Sequence, residues 1–517
     1  MSASPQQEQY KAHVGRIARG AGIGSFGEGA GRLLNYVTQI ALARMYGPTL
    51  LGLYVLGITV VQAANVFAQF GMNQGVVRHV AHYQAQKDVA RVRGSILMVL
   101  WIGFALSLML AGLIFFGAGF LAESVFSKPS LEAVIRAFSV SLPFFTVMSL
   151  ALWATQGFQT VKYDAYVQQV QRPLLNLVLV LIFYFLGARV LGAVAAYILS
   201  MAAGAVFALY YLRRIFPKLL DRDTPPKFEP RALFGVSAPM VVANFTQHMN
   251  SWIVVVVLGA LATAESVGIF NASARTAALS ALVLSAFKIF SPMVSNLYGR
   301  GELEDLGNLY RDISRWAFTG SLVLFLVTVL LARDIMTMFG PKFVSGWAVM
   351  VVIAAGQLFN SSTGPGRGTL AMTGHQRIVM CVTLGSVATS FVLGMILIPP
   401  YGSMGAGVAT ATGLILSNIV VLFFIRRRLG LWPYGRGYLK PLTAGLLAAA
   451  GAHVVKLVLP LPTGIPTILV VAPLFLACFV ALAVAFGLSP GDRQFLAALR
   501  KAVLERSPAR LLKRTSE

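Results

Sequence analysis

The sequence predicts an all-α integral membrane protein of about fourteen transmembrane helices. The 517-residue chain is 57% hydrophobic and only 12% charged, with a mean hydropathy of +0.74. Soluble domains, in contrast, are about one quarter charged. Apolar runs of about 20 residues, the length that spans a bilayer, recur from residue 20 to residue 487. Basic residues cluster in alternate connections between these runs, as expected for a multi-pass protein.

The predicted spans are the apolar stretches long enough to cross the hydrocarbon core. They are 20–46, 48–71, 94–117, 136–157, 169–188, 190–213, 231–260, 265–291, 310–331, 345–371, 374–399, 401–425, 437–460 and 463–487. The polar N-terminal segment 1–19 has no hydrophobic stretch with a small-residue cleavage site after it, so we expect no cleaved signal peptide. The Phe, Trp and Tyr residues near span ends are typical of the interfacial aromatic belt.

The formal net charge of +24 is distributed unevenly along the chain. The connections after the second, sixth and twelfth spans and the C-terminal tail hold most of the lysines and arginines, which predicts that both termini are cytoplasmic. Basic segments beside spans attract anionic lipid headgroups. The charge therefore predicts a membrane surface, and not a nucleic acid, as the partner of these segments.

Short matches between the two halves of the chain indicate an internal duplication. Gly52-Leu53-Tyr54 corresponds to Gly268-Ile269-Phe270, and the segment 153–159 corresponds to 370–376 at nearly the same offset. The repeat contains six spans, so both copies have the same orientation in the membrane, as in parallel-repeat transporters. The predicted organisation is a cytoplasmic segment 1–19, an N-lobe 20–215, a cytoplasmic linker 216–230, a C-lobe 231–425, an appended pair of spans 437–487 and a basic cytoplasmic tail 488–517.

Polar residues inside the spans are the candidates for function, because hydrocarbon excludes them unless they have polar partners. Many recur at steps of three or four residues and so share one face of their helix. The predicted cavity-lining residues are Glu28, Arg32, Asn35, Asn65, Gln69, Asn244, Gln247, His248, Asn271, Arg275, Asn360 and Arg367. In the alternative interpretation Glu28 and Arg32 only neutralise each other, the amides join neighbouring helices, and His248 is packed and neutral. Lys456, near a span end, is interpreted as an interfacial anchor.

The scarcity of carboxylates inside the spans argues against enzymatic function. Glu28 is the only acidic residue well inside a predicted span, whereas paired-carboxylate and two-metal catalysis need more than one. The histidines are scattered and the two cysteines lie inside spans, so we expect no metal, no cofactor and no disulfide.

The pattern G-x-G-x-x-G at Gly22, Gly24 and Gly27 lacks the preceding strand and the following acidic residue of a dinucleotide site. We interpret these glycines as a hinge in the first span.

Six segments together resemble the polysaccharide-transporter branch of the multidrug/oligosaccharidyl-lipid/polysaccharide flippase superfamily, which includes O-antigen flippases. They are YGPTLLGLYVLGITV, FGMNQGVVRHVA, ESVGIFNASART, FSPMVSNLYGRGELEDLGNLYRD, FNSSTGPGRGTLAMTGHQ and IPPYGSMGAGVATATG. The resemblance implies two six-helix lobes that open alternately to each side of a bacterial inner membrane. It also implies transfer of a polyprenyl-(pyro)phosphate-linked oligosaccharide, on an undecaprenyl-type carrier, to the outer leaflet for polysaccharide export. Arg32, Arg275 and Arg367 are then the candidates for contact with the lipid phosphate.

Two alternative functions remain open at this point. One is a multidrug or small-solute antiporter of the same superfamily; the other is a membrane glycan polymerase or ligase. Some relatives bind a coupling cation with acidic residues in the seventh or eleventh span, and neither span contains one here. Glycan polymerase and chain-length components are further candidate partners of a flippase.

Overall fold

The computed structural model describes residues 5–221, 223, 225–280, 283–284, 287, 290–459, 462–487 and 491–492. Side chains are described from residue 31 onward, except at 236, 238, 239, 242, 243, 247, 250, 251, 291 and 292. Every regular element within these ranges is helical, and the all-α fold class is confirmed. The side chains of Glu28 and Gln247, the basic tail beyond residue 492 and the N-terminal residues 1–4 lie outside this description.

Eighteen α-helices follow one another along the described chain. They are α1 (Pro5–Gln69), α2 (Met72–Ala85), α3 (Val89–Phe120), α4 (Leu131–Ser139), α5 (Ser141–Gly157), α6 (Lys162–Asp164), α7 (Arg172–Phe185), α8 (Val190–Ile215), α9 (Pro230–Leu261), α10 (Ala264–Ala277), α11 (Phe290–Gly299), α12 (Leu303–Leu330), α13 (Ala332–Thr337), α14 (Trp347–Ser362), α15 (Gly366–Met372), α16 (Gln376–Leu429), α17 (Leu439–Val458) and α18 (Ile465–Ala485). Two π-helical segments, Leu121–Val125 and Ala165–Gln171, extend α3 and precede α7.

Two long helices are each broken at a glycine and cover two predicted spans. In α1 the break is at Gly47, with φ of 74°, and Pro48 follows; in α16 it is at Gly402, with φ of 53°, shortly after Pro399 and Pro400. Glycine adopts positive φ without steric cost, and proline removes a backbone donor, so both sequences favour a change of direction here. The backbone of α1 is helical through Gly22, Gly24 and Gly27, whose role as a hinge stays a prediction.

Nine helices among the described residues are long and apolar enough to cross a membrane, or ten if the bent pair α4 and α5 is one span. The protein is therefore a multi-pass membrane protein. The predicted total of about fourteen crossings stays a prediction, because α1 and α16 are each counted once although each contains two predicted spans.

The chain forms two compact units. We call Ala30–Ala272 together with Ser390–Ala406 the first unit, and Ser273–Thr389 together with the chain from Gly407 the second unit. In the first unit α9 packs on α2, although the duplication assigns α9 to the C-lobe. The six-span lobes and their boundaries stay a prediction.

The core of the first unit forms where small residues let helices approach closely. At Gly57, in α1, an added Cβ would lie 2.6 Å from the ring of Phe138. Phe138 is fully buried and packs edge-on against Tyr54 and Tyr197, with ring centroids 5.1 and 5.4 Å apart. Such small-residue contacts between helices are typical of membrane proteins, where lipid gives no hydrophobic drive to association.

The second unit contains a core around α12 and the pair α17 and α18. Ala444, Ala448 and Ala452 form a small-residue face on α17 that packs with Leu322 and Leu326 of α12. Lys456, predicted as an interfacial anchor, donates to the carboxylate of Asp334 at 2.6 Å. Asp334 is only 3% exposed, so the lysine neutralises a buried charge.

Candidate functional site

A cavity of about 370 Å³ lies within the first unit and is lined by amides and aromatic rings. Its described lining residues are Gln62, Asn65, Val66, Gln69, Asn73, Phe145, Ser149, Trp153, Gln168, Asn244, His248 and Trp252. This volume is within the range of small-molecule sites in proteins, about 300–1,000 Å³.

Helical periodicity explains how three helices supply most of this lining. Residues separated by three or four positions lie on the same face of a helix. Accordingly α1 contributes Gln62, Asn65 and Gln69; α5 contributes Phe145, Ser149 and Trp153; and α9 contributes Asn244, His248 and Trp252. Each helix thus presents one polar or aromatic face to the same space.

Hydrogen bonds between helices fix the orientation of two amides. The hydroxyl of Thr146 donates to Oδ1 of Asn65 at 2.9 Å. Nδ2 of Asn244 donates to Oδ1 of Asn73 at 3.1 Å, which joins α9 to α2. An amide has two donor hydrogens and an acceptor oxygen, so one such bond orients the group.

The side-chain amide of Gln168 is oriented by a hydrogen bond to a carboxylate. Nε2 of Gln168 donates to Oδ1 of Asp164 at 2.9 Å. Asp164 lies in α6, in the first turn of the candidate span Lys162–Phe185, which begins seven residues before the predicted start at 169. Asp164 does not line the cavity and is connected to it through Gln168.

Aromatic rings form the other part of the lining. The rings of His248 and Trp252 are stacked, with centroids 5.4 Å apart and planes at 10°. Trp153 and Phe145 lie on α5. Flat apolar faces beside amide donors and acceptors are suited to a molecule that has both apolar and hydroxyl-bearing sides, such as a sugar ring.

The described lining contains no Asp, Glu, Lys or Arg. An ionised ligand would lose its hydration here without gaining a charged partner in the described lining, at a cost of several kcal/mol. The cavity is therefore suited to a neutral polar ligand.

Four of the predicted cavity residues are brought together in this cavity: Asn65, Gln69, Asn244 and His248. Trp153, Trp252, Asn73 and Gln168 were not predicted. The spacing of Asn244, His248 and Trp252 on α9 was the signal that could have identified Trp252, since the three positions are each four residues apart.

Two other predicted residues serve helix packing. Asn35 donates to the carbonyl oxygen of Gly31 in its own helix at 2.8 Å. Asn271 accepts a hydrogen bond from the amide of Gln39, and both side chains are buried. These contacts agree with the alternative interpretation of such amides as links within and between helices.

The predicted arginines lie elsewhere. Arg32 is half-buried on α1, and Arg275 is exposed on α10. Arg367, in the second unit, donates from Nη2 to the hydroxyl of Ser417 at 2.7 Å, while its buried Nε has no hydrogen-bond partner in the described part of the chain. None of the three lines the cavity, and their contact with a phosphate stays a prediction.

The second unit has its own amide network. Nδ2 of Asn418 donates to Oδ1 of Asn360 at 3.0 Å, and the hydroxyl of Thr363 donates to Oδ1 of Asn418 at 3.1 Å. Asn360, predicted as a cavity residue, is thus part of a connection between α14 and α16.

Within the described ranges no group of three or more His, Cys, Asp or Glu could hold a metal ion.

Two family models match the chain over ranges that include residues of this site. The model described as polysaccharide biosynthesis protein matches residues 17–297, more than half of the chain, and includes every residue that lines the cavity. A second model, MatE, matches residues 239–396. The resemblance to the polysaccharide-transporter branch is thereby confirmed.

Two curated proteins are similar in sequence. Stage V sporulation protein B of Bacillus subtilis is 25% identical over 418 residues, which are 75% of this chain and 79% of that protein. The probable low-salt glycan biosynthesis flippase Agl15 of Haloferax volcanii is 26% identical over 233 residues, which are 44% of this chain and 48% of that protein.

Solved structures with the same fold include a lipid flippase and a drug transporter. Lipid II flippase MurJ in its inward closed conformation superposes with a TM-score of 0.72 at 12% identity, over 89% of this chain and 98% of MurJ. An inward-facing multidrug resistance MATE family transporter superposes with a TM-score of 0.62 at 18% identity, over 77% of this chain and 94% of the transporter.

Proposed function

Because the chain belongs to the polysaccharide biosynthesis protein family, we propose that it translocates a polyprenyl-(pyro)phosphate-linked oligosaccharide from the cytoplasmic to the outer leaflet. It is a flippase for polysaccharide export and not an enzyme. The observation that carries this proposal is the uncharged cavity of amides and aromatic rings in the first unit. We assign the cavity to the sugar part of the substrate.

The contacts among the cavity-lining residues support binding of the sugar part of the substrate. Asn65 and Asn244 are oriented by Thr146 and Asn73, so their amides meet sugar hydroxyls without first becoming ordered. Trp153 and Trp252 offer flat apolar surfaces to the ring faces. An oligosaccharide of neutral sugars matches a lining without ions.

The lipid phosphate needs a separate, cationic contact. A pyrophosphate does not cross hydrocarbon unaided, and a guanidinium supplies bidentate charge-assisted hydrogen bonds to it. Arg32, with Arg275 and then Arg367, is assigned this contact on the basis of the family resemblance. An arginine exposed at mid-bilayer costs about 3 kcal/mol or more, so Arg32 and Arg275, inside predicted spans, are expected to face polar surroundings.

Alternating access is the mechanism assigned to transfer, as the family implies. The sugar would enter and leave its cavity as the protein changes which side is open, while the lipid tail stays in the bilayer. The positive-inside distribution supports cytoplasmic termini and entry of the substrate from the side of the basic loops. The assignments to a bacterial inner membrane, to O-antigen or exopolysaccharide substrates on an undecaprenyl-type carrier, and to glycan polymerase and chain-length partners belong to this proposal.

The names of related proteins add support. Agl15 is named a probable glycan biosynthesis flippase, and MurJ is named a lipid II flippase. The competing function is a multidrug antiporter, because the fold is also that of a MATE family transporter. The lining favours the flippase, because a cationic drug would find no carboxylate in the described cavity wall.

Transfer by the purified protein in proteoliposomes tests the proposal. The substrate is a polyprenyl-pyrophosphate oligosaccharide, and its arrival in the opposite leaflet is measured by cleavage with an impermeant glycosidase. We expect the protein to accelerate transfer, and Trp153→Ala to slow it at least about tenfold. The proposal would be contradicted if the protein transferred cationic drugs but did not raise the rate of oligosaccharide-lipid transfer above that of protein-free vesicles.

A further inference from the structure

A second cavity, of about 580 Å³, lies within the second unit between the two halves of α16. We call it the α16 groove. Its lining residues come from two stretches, one before and one after the break at Gly402: Arg377, Ile378, Cys381, Val382, Gly385, Ser386, Thr389, Leu416, Ser417, Ile419, Val420 and Phe424. The amide–aromatic cavity in the first unit shares none of these residues.

The length of the groove matches the depth of one leaflet. From Arg377 to Thr389 the helix advances about 18 Å at 1.5 Å per residue. Half of the hydrocarbon core of a bilayer is about 15 Å thick. Arg377 lies in the first turn of α16, and Arg426, Arg427 and Arg428 lie in its last turn. Since stretches on both sides of the break at Gly402 line the same groove, the two ends of α16 lie on the same side, and the groove runs from this basic side towards the middle of the bilayer.

The wall of the groove is suited to hydrocarbon. Its larger side chains are Ile378, Val382, Leu416, Val420 and Phe424. Two of its three hydroxyls are already engaged with backbone carbonyls. Ser386 donates to Gly413 at 3.1 Å and Ser417 donates to Leu414 at 2.8 Å.

The mouth of the groove is cationic. Arg377 is exposed there, and no ion pair among the described residues involves it. An arginine at this depth places its guanidinium among lipid headgroups while its stem covers apolar surface. The guanidinium forms charge-assisted hydrogen bonds with a phosphate. Basic pockets between spans on the cytoplasmic side bind anionic lipid headgroups in this way.

We propose that the α16 groove is a binding site for an anionic phospholipid of the leaflet on the basic side. One acyl chain fills the groove and the phosphate binds Arg377. A groove of one leaflet's length with a single guanidinium at its mouth matches a phospholipid better than the much longer polyprenyl carrier. The site is separate from the proposed transport cavity, and the inference does not rest on the proposed function.

Gly385 provides a way to fill the groove without disturbing the fold. It lines the groove, is exposed, and an added Cβ there has no atom within 4 Å. Gly385→Leu therefore places a side chain in the space of the acyl chain. Gly451→Leu is the matched control, because Gly451 is also an exposed helical glycine with open space at its Cβ, and it lies outside the groove.

Native mass spectrometry of the full-length protein in detergent, with added phosphatidylglycerol or phosphatidylcholine, measures retained lipid. We expect the wild type and Gly451→Leu to retain one phosphatidylglycerol in preference to phosphatidylcholine. Arg377→Gln should weaken retention of phosphatidylglycerol about tenfold and remove the preference. Gly385→Leu should abolish retention of the preferred lipid.

Cys381 gives an independent readout, because it lines the groove and is exposed. In a Cys478→Ser background, phosphatidylglycerol should slow alkylation of Cys381 by a maleimide, and this protection should be absent in Arg377→Gln. Retention of phosphatidylglycerol by Gly385→Leu at the wild-type level would overturn the site. Displacement of phosphatidylglycerol by an equal concentration of polyprenyl phosphate would overturn the choice of occupant.

Discussion

Gly52 and Gly268 each lie directly against the backbone of the other's helix. A Cβ added to Gly52 would overlap the carbonyl oxygen of Ala264, and a Cβ added to Gly268 would overlap the carbonyl oxygen of Pro48. Ala264 and Pro48 each precede the opposite glycine by four residues. The contact is therefore reciprocal, as across a two-fold axis. Since the two glycines are equivalent in the predicted duplication, this reciprocity supports the repeat.

Substitution of either glycine should destabilise the protein. Gly52→Ala or Gly268→Ala forces a methyl group into a backbone oxygen that cannot rotate away, so we expect a loss of about 1–3 kcal/mol in the free energy of unfolding. Thermal unfolding in detergent measures the effect. Gly112→Ala is the control, since its Cβ would meet no atom within 4 Å. Because both changes separate the same pair of helices, the double variant should lose less than the sum of the two; full additivity would contradict a shared contact.

Removal of Trp252 should reduce transport of the sugar. The ring of Trp252 stacks on His248 and faces the amide–aromatic cavity, so Trp252→Ala should lower the rate of oligosaccharide-lipid transfer about tenfold or more, whereas Trp252→Phe should retain part of it. The proteoliposome assay measures both. Trp101→Ala is the matched control, because Trp101 is 69% exposed on α3 and outside the cavity. If Trp101→Ala and Trp252→Ala lowered the rate of transfer equally, the loss would not depend on the cavity.

Helical spacing in the sequence predicts which polar residues share one face of a helix, but it does not predict which residues they contact. Asn65, Gln69, Asn244 and His248 were expected to face a shared space, because helical spacing places each on the polar side of its span. Asn35 and Asn271 have the same pattern, yet one bonds its own helix and the other bonds Gln39. Spacing gives the face of a helix, and only the packing of neighbours decides whether that face meets a cavity or another amide.

Two tryptophans and a lysine also have contacts that the sequence alone does not predict. Trp153 lies near the end of its predicted span, where aromatic residues are typical of the interfacial belt, and Trp252 lies inside its predicted span. Both line the cavity. Lys456 was interpreted as an anchor because it lies near a span end. Its ion pair with Asp334 was not predicted, because Asp334 is more than a hundred residues away in the chain and no local pattern connects them. The fold class, in contrast, is predicted from the composition and from the lengths of the apolar runs. Neither requires knowledge of contacts between residues that are distant in the chain.

The ion pair of Lys456 and Asp334 predicts an asymmetric response to mutation. Lys456→Met leaves the buried carboxylate of Asp334 without its cation, which should cost about 3–5 kcal/mol in the free energy of unfolding. Asp334 also accepts a hydrogen bond from the backbone nitrogen of Gly464 at 3.0 Å, so the loss should loosen the connection between α17 and α18. Thermal unfolding measures this. The double variant Lys456→Met with Asp334→Asn removes both charges and should recover part of the loss; no recovery would argue against a charge effect.

The start of α9 is held by contacts that depend on pH. Glu229 accepts hydrogen bonds from Tyr83 and from Nε of Arg91, the latter at 2.7 Å, and Lys227 donates from its backbone nitrogen to Ala90 at 3.1 Å. The hydrogen bond from Tyr83, followed by the contact with Arg91, lowers the pKa of the Glu229 carboxyl below its ordinary value of 4.5. The folded protein therefore favours the ionised form.

This direction predicts a loss of stability in acid. A carboxyl whose pKa is lowered in the folded state contributes stability above its unfolded pKa, and the contribution disappears as pH falls through the lower, folded value. Thermal unfolding between pH 7 and pH 3 should thus show a decline beginning near 4.5 that is reduced in Glu229→Gln. Glu123→Gln serves as the control for removal of one carboxylate. An acid decline identical in Glu229→Gln and wild type would assign it to other groups.

An amide–aromatic wall also has an electrical consequence. Moving one elementary charge across the membrane changes its energy by about 2.3 kcal/mol for each 100 mV of potential. A neutral glycan in this cavity carries no such charge, and the described wall adds none. The glycan and the described wall then add nothing to the voltage sensitivity of transfer, which should come from the phosphate end of the substrate and the arginines assigned to it. A longer glycan would change the fit and the duration of each transfer cycle without altering its response to the membrane potential.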